Sequence, residues 1–194
     1  MDLNNEEKAV LSILKDYTMD YNANNISNSL GLTSMGSLKL LKRIEKQNII
    51  KPRKVSNICF YNFNFENQYA RDYASLILRK EADNCPASVK RWVSEIRKIK
   101  TADVMLIFGS VLSKGKNVND IDVLFVVDER KFSKLKKEVE KLNIISEKKI
   151  HAVYQTKRDL LKNLKKKDKV VMEIVKGLIV FGEKNFVNLL GEVK

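Results

Sequence analysis

Residues 104–127, VMLIFGSVLSKGKNVNDIDVLFVV, constrain this chain more than any other stretch. An apolar run ends at Gly109-Ser110, a polar spacer covers residues 111–119, and Asp120-Ile121-Asp122 opens a second apolar run. The pattern reads as strand, Gly-Ser turn, loop, strand. Residues i and i+2 of a strand point to one face, so Asp120 and Asp122 present two carboxylates side by side where the second strand begins. Like charges so close repel, and a cation between them removes that cost. Hard divalent ions such as Mg²⁺ take oxygen ligands, commonly one or two carboxylates together with substrate phosphates. Asp128 is too far along the same strand to join them, at on the order of 20 Å from Asp122.

Composition narrows the partners. The chain has 194 residues and a formal charge of +13, room for one large domain or two small ones. Clustered Lys and Arg attract phosphates at long range, so the excess points to a polyanion unless the lysines are merely solvated. Cys59 and Cys85 have no paired spacing, which suggests neither a zinc site nor a disulfide framework. The polar, acidic start is unlike a secretory leader, and no apolar run approaches the ~18 residues of a membrane span. The expectation is a cytoplasmic protein without membrane contact.

In the N-terminal third, helical spacing of apolar residues predicts a first helix at about residues 5–16. Asn22 to Asn25 break the pattern, and residues 26–32 form a short second helix closed by Gly31, a residue favoured past a helix end. Thr33 caps a third helix running to about Gln47, with Leu38, Leu41 and Ile44 turned inward. Ile49-Ile50 and residues 58–63 are strand-like and flank a polar turn over residues 51–57. Residues 26–65 carry five Lys and two Arg against one Glu, whereas residues 1–25 carry two Lys against three Asp and two Glu. The basic charge therefore lies on the third helix and hairpin.

Three helices followed by a hairpin resemble a winged helix-turn-helix, over about residues 4–65. The resemblance implies double-stranded DNA as partner, with the third helix in the major groove. It would present Ser34, Ser37 and Lys39 toward the bases and Lys42 and Arg43 toward the backbone. Lys51, Arg53 and Lys54 of the wing would meet phosphate or minor groove. A winged helix used for dimerisation or protein docking is the alternative.

Residues 66–85 read as a helical connector rather than a floppy tether, since no Gly- or Pro-rich linker intervenes. Tyr69 and Tyr73 on it leave a homodimer open. A helix over about residues 86–99 buries Val89, Trp92, Val93 and Ile96. Strands follow at 104–108, 121–127 and 149–154, with a basic amphipathic helix at 131–142 and further helices at 157–164 and 169–176. Residues 178–181 are a last strand or turn before a terminal helix. Residues 157–169 hold six Lys and one Arg against two Asp, read as a solvated helix face in preference to an acceptor-binding strip. The fold class is α+β, divided into residues 1–65, 66–85 and 86–194.

Gly109-Ser110 followed by Asp120-x-Asp122 on the next strand resembles the minimal nucleotidyltransferases of the DNA polymerase beta superfamily, over about residues 86–190. The resemblance implies a small mixed sheet flanked by helices, binding an NTP with Mg²⁺ or Mn²⁺. Gly109 would let the backbone approach a triphosphate, with Ser110 and neighbouring N–H groups on phosphate oxygens. Asp120 and Asp122 would hold the metal, and Lys114 and Lys116 would add positive charge. The chemistry implied is nucleotidyl transfer to a hydroxyl.

The third carboxylate common in active members is not found: the strand at 149–154, KIHAVY, offers His151 instead. A His can ligate Mn²⁺ or act as a base near neutral pH, but is a poor Mg²⁺ ligand. Glu147 would reach in only with a shifted register. Three functions stay open: an active nucleotidyltransferase with a DNA-binding module, a transcriptional regulator with a catalytically degenerate domain, and an antitoxin-like enzyme modifying a ribonuclease toxin.

Overall fold

A computed structural model describes residues 2–115 and 117–193. Among them the chain is α+β, with ten α-helices, a two-stranded antiparallel sheet and a four-stranded mixed sheet. It divides into two compact units, Met1–Ile77 and Leu78–Lys194, the division falling within one helix.

The first unit opens with α1 (Asn5–Lys15), α2 (Ala23–Leu30) and α3 (Ser34–Lys46). Local chemistry sets their ends. Asn4 accepts from the Glu7 N–H at 2.9 Å, while the Glu7 carboxylate accepts from the Asn4 N–H at 2.8 Å, a reciprocal cap that satisfies two otherwise unpaired donors. Asn22 and Asn25 do the same for α2, at 3.0 and 3.1 Å. The asparagines expected to interrupt the chain therefore start its second helix, three residues earlier than the apolar pattern suggests. Gly31 ends α2 at φ +65°, a left-handed conformation that costs an L side chain about 1–2 kcal/mol. Thr33 caps α3 as expected, accepting from the Gly36 N–H at 3.0 Å.

The inward face of α3 is a correction. Ser37, Leu40, Leu41 and Ile44 are buried, while Leu38 is 39% exposed. The i, i+3, i+4, i+7 stripe starts one residue earlier than the apolar residues indicate, because a serine occupies its first position. The hairpin is also longer than expected. β1 (Ile50–Val55) pairs antiparallel with β2 (Ile58–Phe63) along its whole length, leaving only Ser56-Asn57 as the turn. Residues 51–55 are exposed, so no alternation marks them as strand. Ile13, Leu14, Ile26, Leu41, Ile44, Ile49, Ile50 and Tyr61 are almost wholly buried, each burial contributing about 1.5–3 kcal/mol for an apolar side chain of this size. The segment after α1 joins the hairpin through a bridge in which the Tyr61 N–H donates to the Tyr21 carbonyl at 2.7 Å.

After α4 (Gln68–Asp83), the second unit contains α5 (Ala87–Ile96), β3 (Val104–Phe108), α6 (Val111–Lys114), β4 (Asp120–Val126), a 3₁₀ turn (Glu129–Lys131) and α7 (Phe132–Ile145). It continues through β5 (Lys149–Gln155), α8 (Lys157–Lys165), α9 (Lys169–Ile174), β6 (Leu178–Phe181) and α10 (Glu183–Gly191). The sheet order is β5-β4-β3-β6, with β4 and β5 parallel and the other pairs antiparallel. Residues 178–181 are thus a strand. On one face Met105, Ile107, Ile121, Val123 and Phe125 join a core with Trp92, Val93, Ile96, Leu135, Val139 and Leu142. The opposite face is buried as well, at Leu106, Leu124 and Val126. Burial on both faces explains why β3 and β4 read as continuous apolar runs.

Candidate functional site

The parallel register of β4 and β5 places Asp122 opposite His151, and the antiparallel register of β3 and β4 places Asp122 opposite Phe108, the residue before Gly109. Three separated segments therefore converge on one carboxylate. The His151 Nδ1 and Asp122 Oδ1 are 2.8 Å apart. Gly109 has φ +77°, and a Cβ built there would overlap the other oxygen of the Asp122 carboxylate. Glycine is required twice over at this position, by its backbone and by the carboxylate lying against it.

Asp120 shares the strand face of Asp122 and is exposed; the Asp122 side chain is 23% exposed and the His151 side chain 67%. Ser110 follows the glycine and precedes α6, a single helical turn inside the segment expected to be a polar spacer. Lys114 ends that turn, exposed, and among the described residues it forms no ion pair with either carboxylate. Lys116 lies outside the described residues. Lys149 faces Asp120 in register, but its ammonium donates to the Asn143 carbonyl at 2.7 Å; this neighbour becomes visible only once the parallel pairing is known.

Two other carboxylates considered from the sequence stand elsewhere. Glu147 is exposed and pairs with Arg91 at 3.0 Å. Asp128 lies beyond the far end of β4, where the Arg130 guanidinium and backbone N–H hold its carboxyl down to about 2. Among the described residues no group of three His, Cys, Asp or Glu side chains stands together as a metal cluster. Asp120 and Asp122 offer carboxylate oxygens on one strand face, the donor type that hard divalent cations take.

The basic residues of the first unit are sorted differently. Ser37 is wholly buried, and its hydroxyl donates to the Thr33 carbonyl at 3.1 Å. It faces the core and cannot reach a base, a correction that follows from the phase of α3. Ser34 is exposed, its hydroxyl 3.4 Å from Asn24 Oδ1. Lys42 pairs with Glu45 at 2.8 Å, Arg43 with Glu6 at 2.7 Å and Lys51 with Glu66 at 2.5 Å, while Arg53 pairs with Asp20. Lys39 and Lys54 are exposed and have no ion-pair partner among the described residues. The pairs of Lys51 and Arg53 are exposed on both sides and contribute about 0–1 kcal/mol each, whereas Glu6 is largely buried beside Arg43.

The fold and these groups define an α+β protein of two compact units, one with a basic helix and hairpin and one with a carboxylate pair at the start of an inner strand of its sheet. No helix among the described residues is long and apolar enough to cross a membrane. Compared with protein-family models, curated proteins and solved structures, the chain has no match.

Proposed function

We propose that the second unit is a nucleotidyltransferase-fold domain binding an NTP with Mg²⁺, and the first a winged helix binding duplex DNA. The reading is that of a DNA-binding protein able to transfer a nucleotidyl group to a hydroxyl of nucleic acid or protein. The observation that carries it is the Gly109 backbone lying against Asp122, which brings the Gly-Ser turn and the carboxylate to one point. Asp120 and Asp122 would hold the ion, which when bound neutralises charge on the phosphates. Gly109 lets the Asp122 carboxylate lie against the turn, and Ser110 beside it would supply a hydroxyl and a backbone N–H to phosphate oxygens. Transfer also needs a proton taken from the acceptor hydroxyl. His151 has Nδ1 engaged by Asp122 and its ring largely exposed, leaving Nε2 to accept that proton.

A second reading, a regulator that binds nucleotide without transferring it, is favoured by the engagement of Glu147 and Asp128 away from the carboxylate pair. Addition of NTP and Mg²⁺ is expected to raise the unfolding midpoint of the wild type, and Asp120→Asn with Asp122→Asn to remove the effect. No shift with any of the four NTPs would overturn the nucleotide site. Labelled-NTP transfer onto DNA, RNA or a co-expressed protein separates the two readings, since the regulator gives none.

A further inference from the structure

A cavity of about 220 Å³ opens at the carboxyl ends of the parallel pair β4–β5, lined by Val127, Glu129, Phe132, Tyr154, Gln155, Thr156 and Asp159. Asp120 lies at the other end of β4, on the order of 20 Å away along the strand, so this cavity is separate from the carboxylate pair. Its walls have a consistent chemistry. Phe132 and Tyr154 meet edge to face with centroids 5.1 Å apart, and Tyr154 stacks on Phe125 at 5.7 Å. The buried Oε1 of Gln155 has no hydrogen-bond partner. Glu129 has no ion-pair partner among the described residues, because its neighbours are already engaged: Arg130 with Asp128 at 2.9 Å and Lys131 with Asp103 at 3.3 Å. Asp159 accepts from the Thr156 hydroxyl and N–H through Oδ2 alone, at 2.6 and 3.3 Å, leaving Oδ1 unused among the described residues.

We propose that this cavity binds a small alkylguanidinium cation. The two carboxylates at its rim are acceptors, so the ligand must be rich in donors. Two carboxylates on a chain of net charge +13 select a cation over an anion. Aromatic walls favour a flat cation that stacks or presents its face to a ring. The volume, below the roughly 300–1,000 Å³ of drug-sized sites, excludes a nucleoside triphosphate and fits a group the size of one side chain.

The test is a titration of the full chain with N-ethylguanidinium, followed by the NMR signals of the Phe132 and Tyr154 rings, with the neutral isostere N-ethylurea as control. Saturable shifts at both rings are expected for the cation and none for the urea. Glu129→Gln should weaken binding roughly three- to tenfold, and an unchanged Trp92 unfolding midpoint would show that the variant is folded. Absence of saturable shifts, equal binding of the urea, or unaltered affinity in folded Glu129→Gln would each overturn the proposal.

Discussion

Replacing Gly109 by alanine tests the geometry of the carboxylate site most directly. Two costs are expected. The φ of +77° adds about 1–2 kcal/mol for a residue with a Cβ. The Cβ also falls on the Asp122 carboxylate, which must rotate away and give up its 2.8 Å contact with His151. A rearrangement of this kind adds about 1 kcal/mol, for a total of about 2–3 kcal/mol. Trp92 is the only tryptophan, and its side chain lies in the core of the second unit. Urea unfolding followed by its fluorescence therefore reports on that unit alone. With a slope of about 1–3 kcal/mol/M, the midpoint should fall by roughly 0.7–3 M. A cycle with Asp122→Ala separates the two costs, because removing the carboxylate relieves the overlap but not the backbone strain. Gly109→Ala should then cost about 1 kcal/mol less in the Asp122→Ala background. Additive costs would refute the overlap, and a loss below about 0.5 kcal/mol in the wild-type background would refute the left-handed turn.

Further outcomes follow from other sites. Lys39→Ala with Lys54→Ala should weaken duplex DNA binding and reduce the slope of log K against log[salt] by about 1.8; an unchanged slope would place DNA elsewhere or nowhere on this unit. Thr33→Ala removes the acceptor for the Gly36 N–H and should destabilise the first unit by about 1 kcal/mol, read as faster hydrogen exchange along α3 with the second unit unaffected. Ser37→Ala, which loses one buried hydroxyl bond to the Thr33 carbonyl, should leave DNA affinity within about twofold, whereas a base-reading serine would cost more. Burial raises the Glu138 pKa, but hydrogen bonds from the Thr101 hydroxyl at 2.6 Å and from the N–H groups of Lys100 and Thr101 outweigh it and set it below the ordinary 4.5. A depressed carboxylate stabilises the fold above its unfolded pKa, and that contribution is lost as pH falls through the folded value. Glu138→Gln should make the acid limb of the Trp92 midpoint shallower without changing the sign of its slope.

Where the sequence sufficed, the determining interactions were local or periodic. Thr33 as a cap, Gly31 as a helix end and the apolar runs of β3 and β4 depend on a few neighbouring residues, so their chemistry is legible in one dimension. The pairing of Asp120 and Asp122 on one face follows from the two-residue period of a strand. The same local reading failed where several devices overlap. Asn22 and Asn25 break apolar periodicity and also cap the helix that follows. Residues 51–55 form a strand whose exposed side chains leave no alternating pattern, because β2 supplies its backbone hydrogen bonds.

Only tertiary structure decided which residues meet. His151 reaches Asp122 because β4 and β5 are parallel and in one register; sliding that pairing by one residue would send His151 to the other face. Gly109 needs to be glycine because the antiparallel β3–β4 pairing lays Asp122 against it, 13 residues further along the chain. Ser37 faces the core and not a base because the packing of α3 chose its phase. The cavity at Phe132, Tyr154 and Gln155 had no signature, since its walls come from two segments, residues 127–132 and 154–159, brought together by the ends of two strands. Sequence determined the elements and the chemical groups; the pairing of strands, a long-range choice, determined which groups could act together.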